Sequence, residues 1–242
     1  PLAVRRIAER APGSIAGLVV VNLASLWAGP LAADVLARLG ARVITVESEE
    51  RPDGSRATLR FFESLHGRTE SVALPFRTDV GRRRLRRLVE RADVVIEGSR
   101  PRALSQLGID AAECVRGGVR VWLSITAHGR SGEAADRVGF GDDAAAAGGL
   151  VGWIDGSPRF LADAIADPLT GLTAAASIVD LVEGGGGAIA DLSLARVAAA
   201  CAGGPRITPS GEPSRPRPRR DQGRPLPLGR DTERVLRELG VS

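Results

Sequence analysis

The chain has little of what is needed to stack on bases, bind a transition metal or cross a membrane. Aromatic residues make up only 3% of the 242, too few for the stacking platforms that hold single-stranded nucleic acid. The two cysteines, Cys114 and Cys201, are far apart and form no C-x-x-C. That argues against a disulfide scaffold and against a zinc site. With His66 and His128 as the two histidines, no metal site is expected. No apolar run reaches ~18 residues, so no membrane span is expected. The first ten residues are charged and lack the apolar segment of a secretory leader. The cytoplasm, where thiols stay reduced, is the expected setting. Lysine and tyrosine are missing too, so all 33 basic residues are arginine.

What is present is enough for a core. Hydrophobic residues make up 43% of the chain, and the length suits one large domain or a domain with a small appendage. Net charge is +4 although the isoelectric point is near 10.5. Arginine without lysine or tyrosine accounts for the contrast. The Ala-, Gly- and Arg-rich composition fits a GC-rich genome, and it also fits an anionic partner.

The pattern alternates between strand and helix. Residues 18–24 form a short apolar run read as a buried strand. Gly29-Pro30 punctuates it, and Leu31, Val35, Leu36 and Leu39 then share one helical face up to Gly40. Residues 42–47 read as a second strand, which completes a β-α-β unit with a right-handed crossover. Further strands are predicted at 71–74, 93–97 and 119–125. Helices are predicted at 79–91, at 103–107, in the Ala/Gly-rich 141–150 and at 168–183. In the last of these, Asp167 is the expected N-cap and Pro168 the first helical residue. Gly184–Gly187 ends that helix, and 188–200 begin as a strand and turn helical. The fold class expected is α/β: a doubly wound, Rossmann-like parallel sheet. Residues 1–202 make the core, 203–225 a Pro/Arg-rich linker, and 226–242 a closing segment with a helix at 232–239 that returns to the core.

Three short runs lead further: Trp27-Ala28-Gly29-Pro30, then Gly40 to Glu47 (GARVITVE), then Ala166-Asp167-Pro168-Leu169-Thr170-Gly171. In order and spacing they resemble the family III CoA-transferases, the group that includes formyl-CoA transferase. Asp53-Gly54-Ser55-Arg56, Ala92–Glu97, Pro101–Gly108, Gly184–Gly187 and the closing stretch 227–240 are similar to further elements of that family. The resemblance covers roughly residues 17–200 and 224–240. It implies an enzyme that moves CoA between an acyl-CoA and a small carboxylic acid through an aspartyl-CoA intermediate. CoA is then a substrate, with no metal. Asp167 would be the nucleophile, favoured as an anion at a helix start.

The resemblance also implies a CoA site at Trp27, Ala28, Ser48, Gly98, Ser99, Arg100 and Asp142. Trp27 stands where formyl-CoA transferase has Gln, and Ser48 where it has an adenine-side Arg. Arg100 and Arg102 are either phosphate ligands or solvated surface. The racemase branch pairs a His with the Asp, but Phe140 takes that place here, so α-proton exchange is disfavoured. The short linker leaves no room for the family's small second domain, which implies a shortened form. A homodimer, or a heterodimer with a related chain, is expected, without nucleic acid or membrane. The alternatives are a non-catalytic paralogue that binds CoA or an enzyme partner, and a nicotinamide-dinucleotide protein with Glu47 on a ribose. The second lacks the G-x-G-x-x-G turn.

Overall fold

Short apolar strands, most of them buried on both faces, assemble here with helices above and below. The computed structural model describes residues 1–99, 101–203 and 227–241. It begins with β1 (Leu2–Arg6), β2 (Val19–Asn22), α1 (Ala28–Arg38) and β3 (Arg42–Ser48). A 3-10 turn at Gly54–Ala57 precedes α2 (Leu59–His66), β4 (Glu70–Leu74), α3 (Asp79–Glu90) and β5 (Val94–Glu97). Next come α4 (Pro101–Gln106), α5 (Ala111–Gly117), β6 (Val121–Thr126) and α6 (Gly141–Ala147). A hairpin of β7 (Val151–Ile154) and β8 (Ser157–Phe160) leads to α7 (Ala166–Glu183), β9 (Ala188–Ser193), α8 (Leu194–Ala202) and α9 (Thr232–Glu238).

Seven strands form one sheet in the order β1-β9-β6-β5-β2-β3-β4. Six of them run parallel, and β1 runs antiparallel to β9 at one edge. Side chains alternate between two cores. Val20, Val43, Val94 and Leu123 meet the small residues of α1, α6, α7 and α8 on one face. Val21, Ile44, Val95 and Trp122 meet α3, α5 and α9 on the other. This is the expected doubly wound sheet. Strand order reverses between β2 and β5, which places the ligand crevice of such a sheet at the carboxyl ends of those two strands.

The closing segment does return. The Ser71 amide donates to Asp231 Oδ2 at 3.0 Å, and the Ala73 amide to Thr232 Oγ1 at 3.0 Å. Val235 and Leu236 are buried in the second core. The predicted linker lies outside the described residues except for Gly203.

Several elements differ from expectation. β1 was not predicted; its burial is slight, and pairing with β9 makes it a strand. The β7–β8 hairpin turns on Asp155-Gly156, with φ of 51° and 74°, the Asp-Gly signal of a two-residue hairpin loop. α2 and α5 were not expected. α5 is capped by Asp110, whose carboxylate accepts the Glu113 amide at 2.8 Å, and it buries Cys114 and Val115. Asp167 is not the N-cap of α7: the cap is Ile165, and Asp167 is the second helical residue. Ala164, with φ 42°, turns the chain into the helix early, and its carbonyl accepts the Asp167 amide at 2.8 Å. Pro168 still sits in the first turn, where its missing N–H costs nothing.

Candidate active site

Between β2 and α1 the backbone is fixed by local bonds. Asn22, fully buried, donates Nδ2 to the Ala24 carbonyl at 3.1 Å and accepts the Ala24 amide at 3.2 Å. A Cβ on Gly29 would lie 2.2 Å from Ala24 Cβ, so α1 can start here only with glycine at that position. Leu26 adopts φ 70°, and Trp27 meets Phe61 edge-on at 5.1 Å. The loop after β5 touches this turn: a Cβ on Gly98 would sit 3.5 Å from Ala24 Cβ.

Beneath Gly98 lies a buried charge pair. Glu97, with no exposure, accepts the Ser99 amide at 2.7 Å and Arg130 Nη1 at 2.5 Å. Arg130 Nη1 also donates to Ser124 Oγ at 2.7 Å. Burial pushes the Glu97 carboxyl above its ordinary range, and Ser124 and Arg130 pull it back.

Asp167 stands on α7, one turn ahead of Gly171. A Cβ on Gly171 would lie 2.7 Å from the Ala28 carbonyl, so α7 crosses α1 at its first residue. This crossing brings the helical face of Asp167 to the Trp27–Ala28 turn. On its other side Asp167 meets Gly141: a Cβ there would be 2.4 Å from Asp167 Oδ2, and the nearby Gly141 backbone N–H favours the carboxylate. Asp142 is spent locally, its Oδ1 accepting the Ala164 amide at 2.9 Å. Burial lifts the Asp167 carboxyl from 3.8 to about 6; the Gly141 amide opposes the rise, and Asp142 and Asp163 add to it. Half-buried against the Gly141 backbone, Asp167 is a carboxylate of raised basicity, suited to attack an acyl carbon.

The expected site residues thus divide. Trp27, Ala28, Gly98 and Ser99 follow the ends of β2 and β5; Asp167 lies one helical turn before Gly171, which packs on Ala28, and Asp142 lies in the Gly141–Ala164 region that Asp167 contacts. Ser48 lies one strand over, at the end of β3, its Oγ donating to Glu50 Oε2 at 2.5 Å. Arg100 lies outside the described residues, and Arg102 is exposed and pairs with Asp136 at 3.2 Å. Among the described residues no cluster of three or more His, Cys, Asp or Glu could hold a metal, and no helix is long and apolar enough to cross a membrane. Gly141 and Asp53, which accepts the Leu26 amide at 3.0 Å, lie in runs the resemblance had picked out, but their contacts with Asp167 and Leu26 were not expected. Those contacts span 26 and 27 residues along the chain, respectively, and no local pattern marks them.

Known proteins resemble this chain in sequence and fold. A family model described as CoA-transferase family III matches residues 15–227. The succinate–glutarate CoA-transferase of Agrobacterium fabrum is 33% identical over 208 residues, covering 77% of this chain and 52% of that protein. The succinyl-CoA–D-citramalate CoA-transferase of Chloroflexus aurantiacus is 30% identical over 182 residues, 69% of this chain and 44% of that one. The crystal structure of a CAIB/BAIF family protein from Brucella suis superposes with a TM-score of 0.70 at 30% identity, covering 79% of this chain and 55% of that chain. The chain spans about half the length of the curated relatives it matches.

Proposed function

The chain belongs to CoA-transferase family III, and from that premise we propose that it moves CoA from an acyl-CoA to a carboxylic acid with Asp167 as nucleophile. The observation that carries this reading is the contact between the Asp167 carboxylate and the Gly141 amide, at a spacing that only glycine allows. With its carboxyl at about 6, Asp167 is about 90% ionised at neutral pH. It is more basic than an exposed aspartate, hence a better nucleophile.

The exchange runs in balanced steps. An Asp167 oxygen attacks the thioester carbonyl carbon, the C–S bond breaks, and CoA leaves as thiolate. The thiolate attacks the Asp167 carbonyl of the mixed anhydride, releasing the donor acid and leaving an aspartyl-CoA thioester. The acceptor carboxylate attacks that thioester and expels the thiolate again. The thiolate then takes the new acyl group and returns Asp167 to its free form. The Gly141 amide is placed to stabilise oxygen charge developing on the Asp167 carboxyl during the second and third steps. On this reading Trp27, Ala28, Gly98 and Ser99, after the ends of β2 and β5, form the CoA-binding edge, and Arg100 is the expected phosphate ligand.

The same reading takes residues 1–202 as the CoA-binding core, 203–225 as a connector and 226–242 as a closing strap. It takes the working form as a dimer, of two copies or with a related chain, acting in the cytoplasm. A clean monomer by sedimentation at micromolar concentration would refute the dimer. The test of function is mass spectrometry after incubation with a panel of acyl-CoAs and hydroxylamine. A hydroxamate at Asp167 supports the mechanism. Transferase activity that survives Asp167→Ala removes it.

A further inference from the structure

Leu26 holds a left-handed backbone, φ 70°, which costs a residue with a Cβ about 1–2 kcal/mol. It immediately precedes Trp27 and Ala28, so its conformation sets how both are presented. Nothing in the local sequence favours leucine there. Its amide donates to Asp53 Oδ2 at 3.0 Å, a bond across 27 residues.

Asp53 is built to hold that bond. Its side chain is 1% exposed. Its second oxygen, Oδ1, is occupied by the Ser55 amide and hydroxyl, both at 2.8 Å, so Oδ2 takes the Leu26 amide, with the buried His66 Nε2 3.9 Å away. Its own amide donates to Glu47 Oε1 at 2.9 Å. Glu47 ends β3 and is fixed by Arg56, Nε to Oε1 at 2.8 Å and Nη2 to Oε2 at 2.5 Å. The Arg56 guanidinium lies 4.4 Å over Phe62. Phe61, on the same helix, supports Trp27. A rigid brace therefore runs from the end of β3 to the first turn of α1, and its only strained member is Leu26. A cap for the 3-10 turn needs only Oδ1; the bond from Oδ2 serves the distant loop.

We propose that Asp53 is a positioning residue that holds Leu26 in its left-handed turn and thereby presents Trp27 and Ala28 to CoA. The proposal rests on the reading of that turn as part of the CoA site. Asp53 touches no substrate; it acts through Leu26.

The test is a double-substitution cycle read by calorimetric titration with CoA, at a temperature where every variant is folded by circular dichroism. Asp53→Ala weakens CoA binding about 5- to 30-fold, the equivalent of the backbone preference it no longer offsets. In the Leu26→Gly background the same substitution costs about twofold or less, because glycine takes positive φ freely. Equal penalties in both backgrounds would overturn the proposal, since a purely structural role does not depend on residue 26. If Asp53→Ala does not fold, the cycle is run with Asp53→Asn, whose amide must turn an NH2 toward either Leu26 or Ser55. Hydrogen exchange at the Leu26 amide is read in parallel. Faster exchange in the Asp53 variant supports the proposal, and unchanged exchange overturns it. If the parent protein binds no CoA, the proposed function fails instead, and the exchange measurement still decides whether Asp53 holds the turn.

Discussion

Replacing Gly141 by alanine keeps the backbone N–H and adds one methyl group. That methyl would lie 2.4 Å from Asp167 Oδ2, 2.6 Å from the Ala164 carbonyl oxygen and 2.7 Å from Ala164 Cβ. Ordinary contact requires about 1 Å more on each side. The carboxylate is the least constrained of the three, so it moves away from the amide. A displacement of about 1 Å costs on the order of 100-fold in rate when it misplaces a reacting group. Overpacking costs about 1–3 kcal/mol, or about 2–4 °C in Tm for each kcal/mol in a chain of this size. The amide also holds the Asp167 carboxyl down against burial. Its loss lets the carboxyl rise beyond about 6, and the acid limb of kcat/KM shifts to higher pH. The assay is steady-state CoA transfer across the pH range, with each variant kept well below its melting temperature. A Gly141→Ala enzyme with the parental rate and the parental acid limb would refute the argument.

Two further outcomes follow from buried charge. A carboxyl raised from 3.8 to about 6 favours the fold fully below the unfolded value, and that gain is lost as pH rises through the folded one. Asp167→Asn therefore raises Tm at about pH 8, by less than about 3 kcal/mol of stability since the site is half-exposed, and changes little at about pH 4. His66, lowered by burial from 6.5 to about 4, has the opposite sign: its contribution is present above 6.5 and is lost as pH falls toward 4. In Asp167→Asn that loss is no longer offset, so Tm falls more steeply between these values than in the parent; parallel Tm profiles would contradict the Asp167 assignment, and a flat variant profile the His66 one. Separately, Arg130→Met strands the buried Glu97 and costs about 3–5 kcal/mol. Adding Glu97→Gln recovers most of it in urea denaturation, and a single variant within about 0.5 kcal/mol of the parent would show the pair to be unimportant.

The sheet was legible because its strands are buried on both faces and read as continuous apolar runs, as at Val19–Asn22 and Val94–Glu97. β1 was not, because four of its five residues are exposed and its identity as a strand comes from β9. The Asp155-Gly156 hairpin was readable and was overlooked, since its flanking strands are largely exposed and carry no apolar alternation. In the site, Asp167 stood out through its run of neighbours, yet its helical position was misjudged. The left-handed Ala164 that starts the helix early is alanine, and no sequence rule expects it there. Gly141 and Asp53 act on residues far away along the chain, so they become visible only when the backbone brings the loops together.

The return of α9 has a consequence for solubility. β4 is an outer strand of the sheet, and such a strand presents a row of unpaired N–H and C=O groups to any other chain in solution. Here the Ser71 and Ala73 amides are taken by Asp231 Oδ2 and Thr232 Oγ1, and the Ser71 carbonyl accepts the Asp231 amide at 2.9 Å. Side chains at the head of a short helix stand in for an eighth strand. Trimming the chain before Pro227 would uncover this edge, turning a paired margin into a template for strand addition and fibrous aggregation.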